Sequence, residues 1–152
     1  MNLSAAFDLA VNTMDKHGMF VKGWSLEWDN AKNRFGQCRF ASKLITISSV
    51  LTELNSEADV LDTILHEIAH ALVGPEHDHD WTWKMVAKQI GAKPERCFGR
   101  EIAQPPAKYI GICQDCGYEA RRYRMSKRVK EVCFHTRCRH KTNDGKIEWR
   151  KT

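Results

Sequence analysis

The sequence predicts an α+β fold with a small β-sheet, followed by a small cysteine-rich module. Three short segments alternate apolar and polar residues or are rich in β-branched ones, as strands do: 24–29, 35–40 and 44–48. Three longer segments repeat apolar residues at helical spacing: 3–14, 56–73 and 81–90. The pair Pro105-Pro106 resists both helix and sheet, and paired cysteines follow it.

The first helix and the strands have recognisable ends. Asn2 or Ser4 can cap the helix, and His17-Gly18 ends it. Residues 30–33 supply a turn, after which segment 35–40 is expected to return beside segment 24–29. Segment 44–48 then provides a third strand.

The central helix is the most strongly patterned element. Ser56 opens it with Asp59 in a capping-box position, and Gly74-Pro75 ends it. A wide apolar face indicates that this helix lies against the sheet rather than in water. That face consists of Val60, Leu61, Ile64, Leu65, Ile68, Ala69 and Leu72.

Charge is unevenly distributed along the 152 residues. Residues 1–104 carry 11 Lys/Arg against 14 Asp/Glu, a balance of −3. Residues 105–152 carry 13 Lys/Arg against 5 Asp/Glu, a balance of +8. A basic module of this kind is typical of one that meets a polyanion, and the alternative is a solvated basic surface.

The amino-terminal segment has neither a basic start nor a long apolar run, so no secretion signal or membrane span is expected. We therefore expect a cytoplasmic protein without a membrane partner. In a reducing cytosol, six cysteines are more often metal ligands or free thiols than disulfides. Cys38 is expected to be a small buried thiol in the sheet, and Cys97 a structural one.

The motif that carries chemistry is His66-Glu67-Ile68-Ala69-His70, inside the central helix. Four residues advance ~400° around a helix and ~6 Å along it, so both imidazoles project from one face. Two neutral imidazoles so placed can bind one Zn²⁺. Glu67 lies beside them and can take a proton from a zinc-bound water. The alternative is a chance match on an amphipathic helix.

A catalytic zinc usually has three protein ligands and one open position. His77, His79 and Asp80 are the candidates for the third ligand. His79 is preferred, because it precedes the next helix and Trp83, one turn beyond, can pack against the site. His77 remains the alternative.

Four cysteines in the second module indicate a structural zinc site. Cys113 and Cys116 form a C-x-x-C pair, and Cys133 and Cys138 form a looser C-x4-C pair. Because the second spacing is loose, His135 or His140 is an alternative to one of the cysteines. A redox-active C-x-x-C is the other possibility, but no helical context supports it.

Between the cysteine pairs lies a run of cations interleaved with an aromatic residue. Such a run suits sequence-independent contact with nucleic acid, through phosphates and base stacking. A solvated hairpin loop is the alternative. The candidate contact residues are Arg121, Arg122, Tyr123, Arg124, Lys127, Arg128 and Lys130.

These motifs in this order resemble the SprT-like family, which includes the Spartan proteases. The resembling elements are the segment 66–72, the later His79 with Trp83, and the segment 109–117 that opens the cysteine module. The resemblance implies a zincin-like metallopeptidase domain over residues 1–104 and a DNA-binding zinc ribbon over 105–152. It also implies a role in cleaving proteins crosslinked to DNA.

The sequence therefore predicts a zinc metalloendopeptidase with one catalytic and one structural zinc. The resemblance implies that its substrates are proteins bound or crosslinked to DNA, and we therefore expect a DNA- or nucleoid-associated location. The proposed nucleophile is a zinc-bound water activated by Glu67. Two alternatives stay open: a nucleic-acid-binding zinc protein without protease activity, and a zinc hydrolase of non-protein amides.

Overall fold

The computed structural model describes residues 1–95 and 102–152, with the backbone alone for residues 130–132. The chain forms two compact units, Met1–Pro105 and Pro106–Thr152. Cys97 lies outside the described residues, as does the side chain of Lys130. Within the described ranges, every helix is too short or too polar to cross a membrane.

Unit 1 (Met1–Pro105) contains four α-helices and a three-stranded sheet in its described part. The helices are α1 (Leu3–Lys16), α2 (Ser49–Leu54), α3 (Glu57–Val73) and α4 (Trp81–Ile90). The strands are β1 (Ser25–Asp29), β2 (Gly36–Arg39) and β3 (Leu44–Ser48). A short 3-10 turn, Pro75–His77, separates α3 from α4. The α+β class predicted from the sequence is confirmed at this level.

The order of strands in the sheet is β1-β3-β2, and this differs from the sequence-based expectation. β2 was expected to return beside β1, but it pairs antiparallel with β3, while β1 pairs parallel with β3. β3 occupies the centre because all five of its residues are buried, whereas β1 is partly exposed. A strand that is buried on both faces is covered best when it has neighbours on both sides.

Helix α3 begins and ends as the sequence predicts. The Ser56 hydroxyl accepts a hydrogen bond from the Asp59 N–H, and the Asp59 carboxylate accepts one from the Ser56 N–H. Gly74, with a positive φ of 95°, terminates the helix. The first helix is capped by Asn2, whose side chain accepts from the N–H groups of Ser4 and Ala5.

Two apolar clusters hold α3 from different directions. The main core joins α3 to the sheet and α1, and includes Ala6, Met14, Ile45, Ile64 and Ile68. A second cluster joins α3 to α4, and consists of Leu65, Ala69, Trp83, Ala87 and Ala92. The orientation of α3 about its own axis is therefore determined from two sides.

Unit 2 (Pro106–Thr152) is a small antiparallel sheet in the order β5-β4-β6. Its strands are β4 (Tyr109–Cys113), β5 (Glu119–Arg122) and β6 (Ile147–Lys151), and a helix α5 (Lys127–Val132) follows β5. Among the described residues of this unit, the buried apolar cluster is small and consists of Cys113, Cys138 and Ile147. With so small an apolar core, a bound metal would contribute much of the folding free energy of this unit.

The capping box of α3 gives a prediction for stability. Replacing Ser56 by Ala should lower the free energy of unfolding of unit 1 by about 1 kcal/mol, because the Asp59 N–H loses its partner. Urea unfolding monitored by circular dichroism measures the change. Ser42→Ala, at an exposed loop position, is the control. Equal stability of the two variants would contradict a contribution from the cap.

Candidate metal centres

Three histidines converge in unit 1. His66 and His70 lie one turn apart on α3, and their Nε2 atoms are 3.3 Å from each other. His79 arrives from the segment between the 3-10 turn and α4. Its Nε2 lies 3.1 Å from the Nε2 of both His66 and His70. The four-residue spacing therefore places the His66 and His70 rings on one face of α3, as the sequence predicts. The His79 ring completes a triangle of three Nε2 atoms.

The triangle fits a zinc ion. In tetrahedral coordination, nitrogens at 2.0–2.1 Å from zinc lie ~3.3–3.4 Å from one another. The separations of 3.1–3.3 Å among the Nε2 atoms are close to that value. The three imidazoles would occupy three positions and leave the fourth for a solvent or substrate atom, as catalytic zinc sites do.

Burial keeps two of these imidazoles neutral. It lowers the pKa of His66 to about 3, with further lowering from the neighbouring His70 and His79. It lowers the pKa of His70 to about 4, with His79 adding to the effect and Asp78 opposing it. A neutral ring nitrogen keeps the lone pair that a metal needs, so both side chains are in their ligand form near neutral pH.

His77, the alternative third ligand, is directed elsewhere. Its Nδ1 lies 2.9 Å from one carboxylate oxygen of Asp80. The other oxygen of Asp80 accepts a hydrogen bond from the Trp83 N–H and so caps α4. The structure therefore brings His79 to His66 and His70, while Asp80 serves as a helix cap and partner of His77.

Glu67 is buried next to the histidine triangle, with only 6% of its surface exposed. Burial raises its pKa to about 8, against the opposing effects of the Arg34 charge and a hydrogen bond from the Cys38 N–H. Arg34 is itself held by Asp29 at 2.7 Å. A carboxyl group with this pKa can exchange a proton with a neighbour near neutral pH.

Strand β2 approaches α3 closely at Glu67 because residue 36 is glycine. A Cβ atom at Gly36 would lie 2.7 Å from both Cγ and Oε1 of Glu67 and 2.9 Å from Cγ2 of Thr63. Cys38, two residues on, is half-buried, and burial together with the Glu67 charge raises the pKa of its thiol to about 12. The Cys38 thiol is therefore in its protonated form near neutral pH.

A cavity of about 560 Å³ opens onto the triangle and Glu67. One wall is β2 with the residues before it, 33–38, and another is formed by Gly74 and Pro75. Ile102 and Gln104, near the end of unit 1, also contribute to the lining. Within the described residues, β2 is an edge strand of the sheet, and it borders this cavity.

A second candidate metal centre lies in unit 2. The ligand atoms of Cys113, Cys116, His135 and Cys138 all lie within 4.8 Å of one another. The structure groups His135, rather than the predicted Cys133, with the other three cysteines. The histidine alternative left open by the C-x4-C spacing is the arrangement that the structure shows, and His140 is exposed outside the group.

Backbone pairing explains why His135 reaches the cysteines. Phe134 forms an isolated bridge with Lys146, and the His135 N–H donates to the Gly145 carbonyl at 2.8 Å. The His135 ring stacks on Tyr118 at 4.5 Å, with its Nδ1 3.2 Å from the Cys116 sulfur. Gly145 has a φ of 69°, and a Cβ there would lie 2.5 Å from the His135 carbonyl oxygen.

Asp115, inside the C-x-x-C pair, was not singled out from the sequence. Its carboxylate accepts hydrogen bonds from the N–H and side-chain amide of Asn143 and from the Gly145 N–H, at 2.7–3.1 Å. It therefore ties the first cysteine turn to the turn that follows the second pair. The sequence does contain a signal for this role. An acidic residue between two ligand cysteines adds unfavourable negative charge, so its presence there indicates a structural contact.

The candidate nucleic-acid contacts do not share one surface. Strand register places Arg122 and Lys151 on either side of Tyr109, on the sheet face that carries Trp149. The Arg122 guanidinium lies 5.6 Å from the Trp149 ring centre. Arg121 is on the opposite face, in an ion pair with Glu119 at 3.1 Å.

The remaining predicted contacts follow β5, and three of them lie on α5. Tyr123 and Arg124 occupy the segment after the strand, and Lys127 and Arg128 begin the helix. Lys130 belongs to the same helix, but its side chain is outside the described atoms. The segment that was predicted as one continuous cationic run is therefore divided between a strand, a bend and a short helix.

The ligand group of unit 2 can be tested by metal content. Replacing His135 by Ala should lower the zinc content of the full chain, because only three of the four converging ligand atoms of unit 2 remain. Replacing Cys133 by Ser should leave that zinc content unchanged. Elemental analysis of the purified full chain provides the count, with Cys113→Ser as a positive control. Loss of zinc from Cys133→Ser, with retention in His135→Ala, would restore the four-cysteine set.

Comparison with known proteins bears on unit 1. No curated protein matches the chain in a sequence search. A sequence profile of the SprT-like family matches residues 6–103, well over half of the chain. The matched range contains most of α1, the sheet, α3 with His66, Glu67 and His70, and α4. The chain therefore belongs to the SprT-like family.

Proposed function

We propose that this protein is a zinc-dependent metallopeptidase that cleaves proteins bound or crosslinked to DNA. The observation that carries the proposal is the triangle of His66, His70 and His79 Nε2 atoms beside the buried Glu67 carboxyl. Membership of the SprT-like family supports a metallopeptidase-like function. The triangle also supports an open zinc site, because three ligands leave a position free.

When bound, zinc supplies a Lewis acid that polarises a carbonyl group and lowers the pKa of a water molecule to about 7. Glu67 is the group of this chain that moves the proton. It lies in a low-dielectric pocket, accepts a hydrogen bond from the Cys38 N–H, and directly follows His66 in sequence. In the proposed reaction, Glu67 takes a proton from the attacking water and delivers it to the leaving nitrogen.

The form of the cavity supports an extended peptide rather than a small amide as substrate. In the part of the chain that the structure describes, β2 has β3 as its only strand partner. A strand with one open edge can accept a further chain by backbone hydrogen bonding. Residues 36–38 of β2 line the cavity that contains Glu67. A peptide laid along this edge would therefore pass the histidine triangle.

Replacing Glu67 by Gln tests the enzymatic proposal. Cleavage of a DNA-bound protein should fall by about 100-fold or more, because general-base catalysis contributes roughly 10²–10⁴-fold. Zinc content and the thermal unfolding curve should stay unchanged, since the amide keeps the size of the carboxyl group. Glu53→Gln, at an exposed position on α2, is the matched control. Parental cleavage by Glu67→Gln would exclude the proposed mechanism.

The charge of unit 2 supports DNA as the partner that delivers substrate. Residues 105–152 carry the excess of eight positive charges. The row Arg122, Tyr109 and Lys151, with Trp149 under Arg122, combines cations with aromatic rings on one face. Such a surface binds phosphates and stacks on bases without reading sequence. A substrate held on the same DNA would reach the protease unit at a raised local concentration.

DNA binding can be tested on the full chain by varying salt. Affinity for DNA of unrelated sequences should fall steeply between 50 and 200 mM salt, as ~10³-fold losses accompany about six phosphate contacts. Arg122→Ala should weaken binding to all sequences and reduce the salt slope by about one. Arg121→Ala is the control, because the charge of Arg121 is paired with Glu119. Fluorescence anisotropy measures all three proteins, and salt-independent affinity would argue against a phosphate contact.

A further inference from the structure

Trp83 is the side chain that touches all three histidines of the triangle. Its ring centre lies 4.7 Å from that of His66, 5.2 Å from His70 and 4.7 Å from His79. It stacks on His70 at an interplanar angle of 29° and meets the other two rings at steeper angles. The indole is fully buried. The ring therefore forms a buried base against which all three imidazoles pack.

The three ligands need such a base because they come from two different segments. His66 and His70 are related by the geometry of α3 alone. His79 has no such relation to α3, because it lies in the segment that leads into α4. Trp83 comes from α4 and packs with Leu65 and Ala69 of α3. One indole therefore connects the segment that carries His79 to the helix that carries the other two ligands.

The backbone of Trp83 is held in place as well as its ring. Its N–H donates to the capping carboxylate of Asp80 at 3.0 Å, and Asp80 follows His79 directly. The cap and the indole thus act on the same short stretch of chain. A change in where α4 starts would displace His79 and the ring beneath it together.

The polar end of the indole does not explain why this residue is here. The Nε1 atom of Trp83 is buried and has no hydrogen-bond partner among the described residues. An unpaired buried N–H is unfavourable, so the contribution of Trp83 comes from the shape and area of its ring. A phenylalanine ring at position 83, which lacks that N–H, should therefore retain most of the packing against the three imidazoles.

We propose that Trp83 is a positioning residue that holds His66, His70 and His79 in the metal-binding arrangement before the metal arrives. The inference rests on the proposed function only in taking the triangle as a metal site. Imidazoles already held in their ligand rotamers lose little freedom on binding, which raises affinity for the ion. Groups that orient metal ligands typically change metal affinity by about 10–100-fold when they are replaced.

The experiment is a Co²⁺ titration of the metal-free full chain, with tryptophan emission and cobalt absorption as readouts. Trp83→Leu should raise the Kd of the histidine site by about 10–100-fold, and Trp83→Phe by less than about 3-fold. The His66→Ala variant lacks one ligand of the histidine site, so the cobalt signal that it retains is the contribution of the cysteine site in unit 2. Emission should be quenched by bound cobalt in the wild type, and most of that quenching should be absent from Trp83→Phe.

Two controls separate positioning from general loss of packing. Trp81 is on the same helix but is 73% exposed, so Trp81→Phe should leave both the Kd and the quenching unchanged. Leu65→Ala creates a cavity in the same apolar cluster as Trp83. At comparable loss of stability, it should raise the Kd less than Trp83→Leu does. Should Trp83→Leu fail to fold, Trp83→Met takes its place with the same expectations.

A Kd for the folded Trp83→Leu variant within about twofold of the wild type would overturn the inference. An equal rise in Leu65→Ala would also overturn it, because Trp83 would then act through stability alone. Both results concern metal binding and are independent of peptide cleavage. Loss of activity in Glu67→Gln would stand in either case, so failure here is distinguishable from failure of the proposed function.

Discussion

The constraint on which the histidine triangle depends is the packing of α3 from two sides. Ile64 and Ile68 face the sheet and α1, and Leu65 and Ala69 face α4. A helix held along two stripes cannot rotate about its axis without exposing one of them. The stripe that remains carries the side chains that line the cavity, His66, Glu67 and His70. The position of the proposed chemistry is thus a consequence of ordinary apolar burial.

The same burial prepares the side chains for a metal. A low-dielectric site disfavours the charged form of every group, so it lowers the pKa of His66 and His70 and raises that of Glu67. The metal-free site consequently holds neutral bases beside a carboxyl group that titrates near neutral pH. A divalent cation would be met by free lone pairs, and its charge would favour the carboxylate form of Glu67.

Unit 2 reaches stability by different means. It buries few apolar side chains, and its turns are joined by the Asp115 carboxylate and by the convergence of three cysteines with His135. Both faces of its sheet carry charged residues, although one of them also carries the buried Cys113 and Ile147. One face combines Arg122 and Lys151 with aromatic rings, while on the other Arg121 is paired with Glu119. The sequence shows that this unit has an excess of positive charge, but only the strand register shows which cations share a face of the sheet.

The sequence by itself determined the elements whose signals are local. Helical spacing, the Ser56–Asp59 cap and Gly74 defined α3, and the four-residue interval placed two imidazoles on one face, because these features depend only on neighbouring residues. Tertiary structure decided whatever depends on distant residues. It placed β3 between β1 and β2 because β3 is the most buried strand, and it brought His79 rather than His77 to the triangle because Asp80 engages His77. Likewise, the Phe134–Lys146 bridge and the hydrogen bond from the His135 N–H to the Gly145 carbonyl place His135, not Cys133, beside the other cysteines.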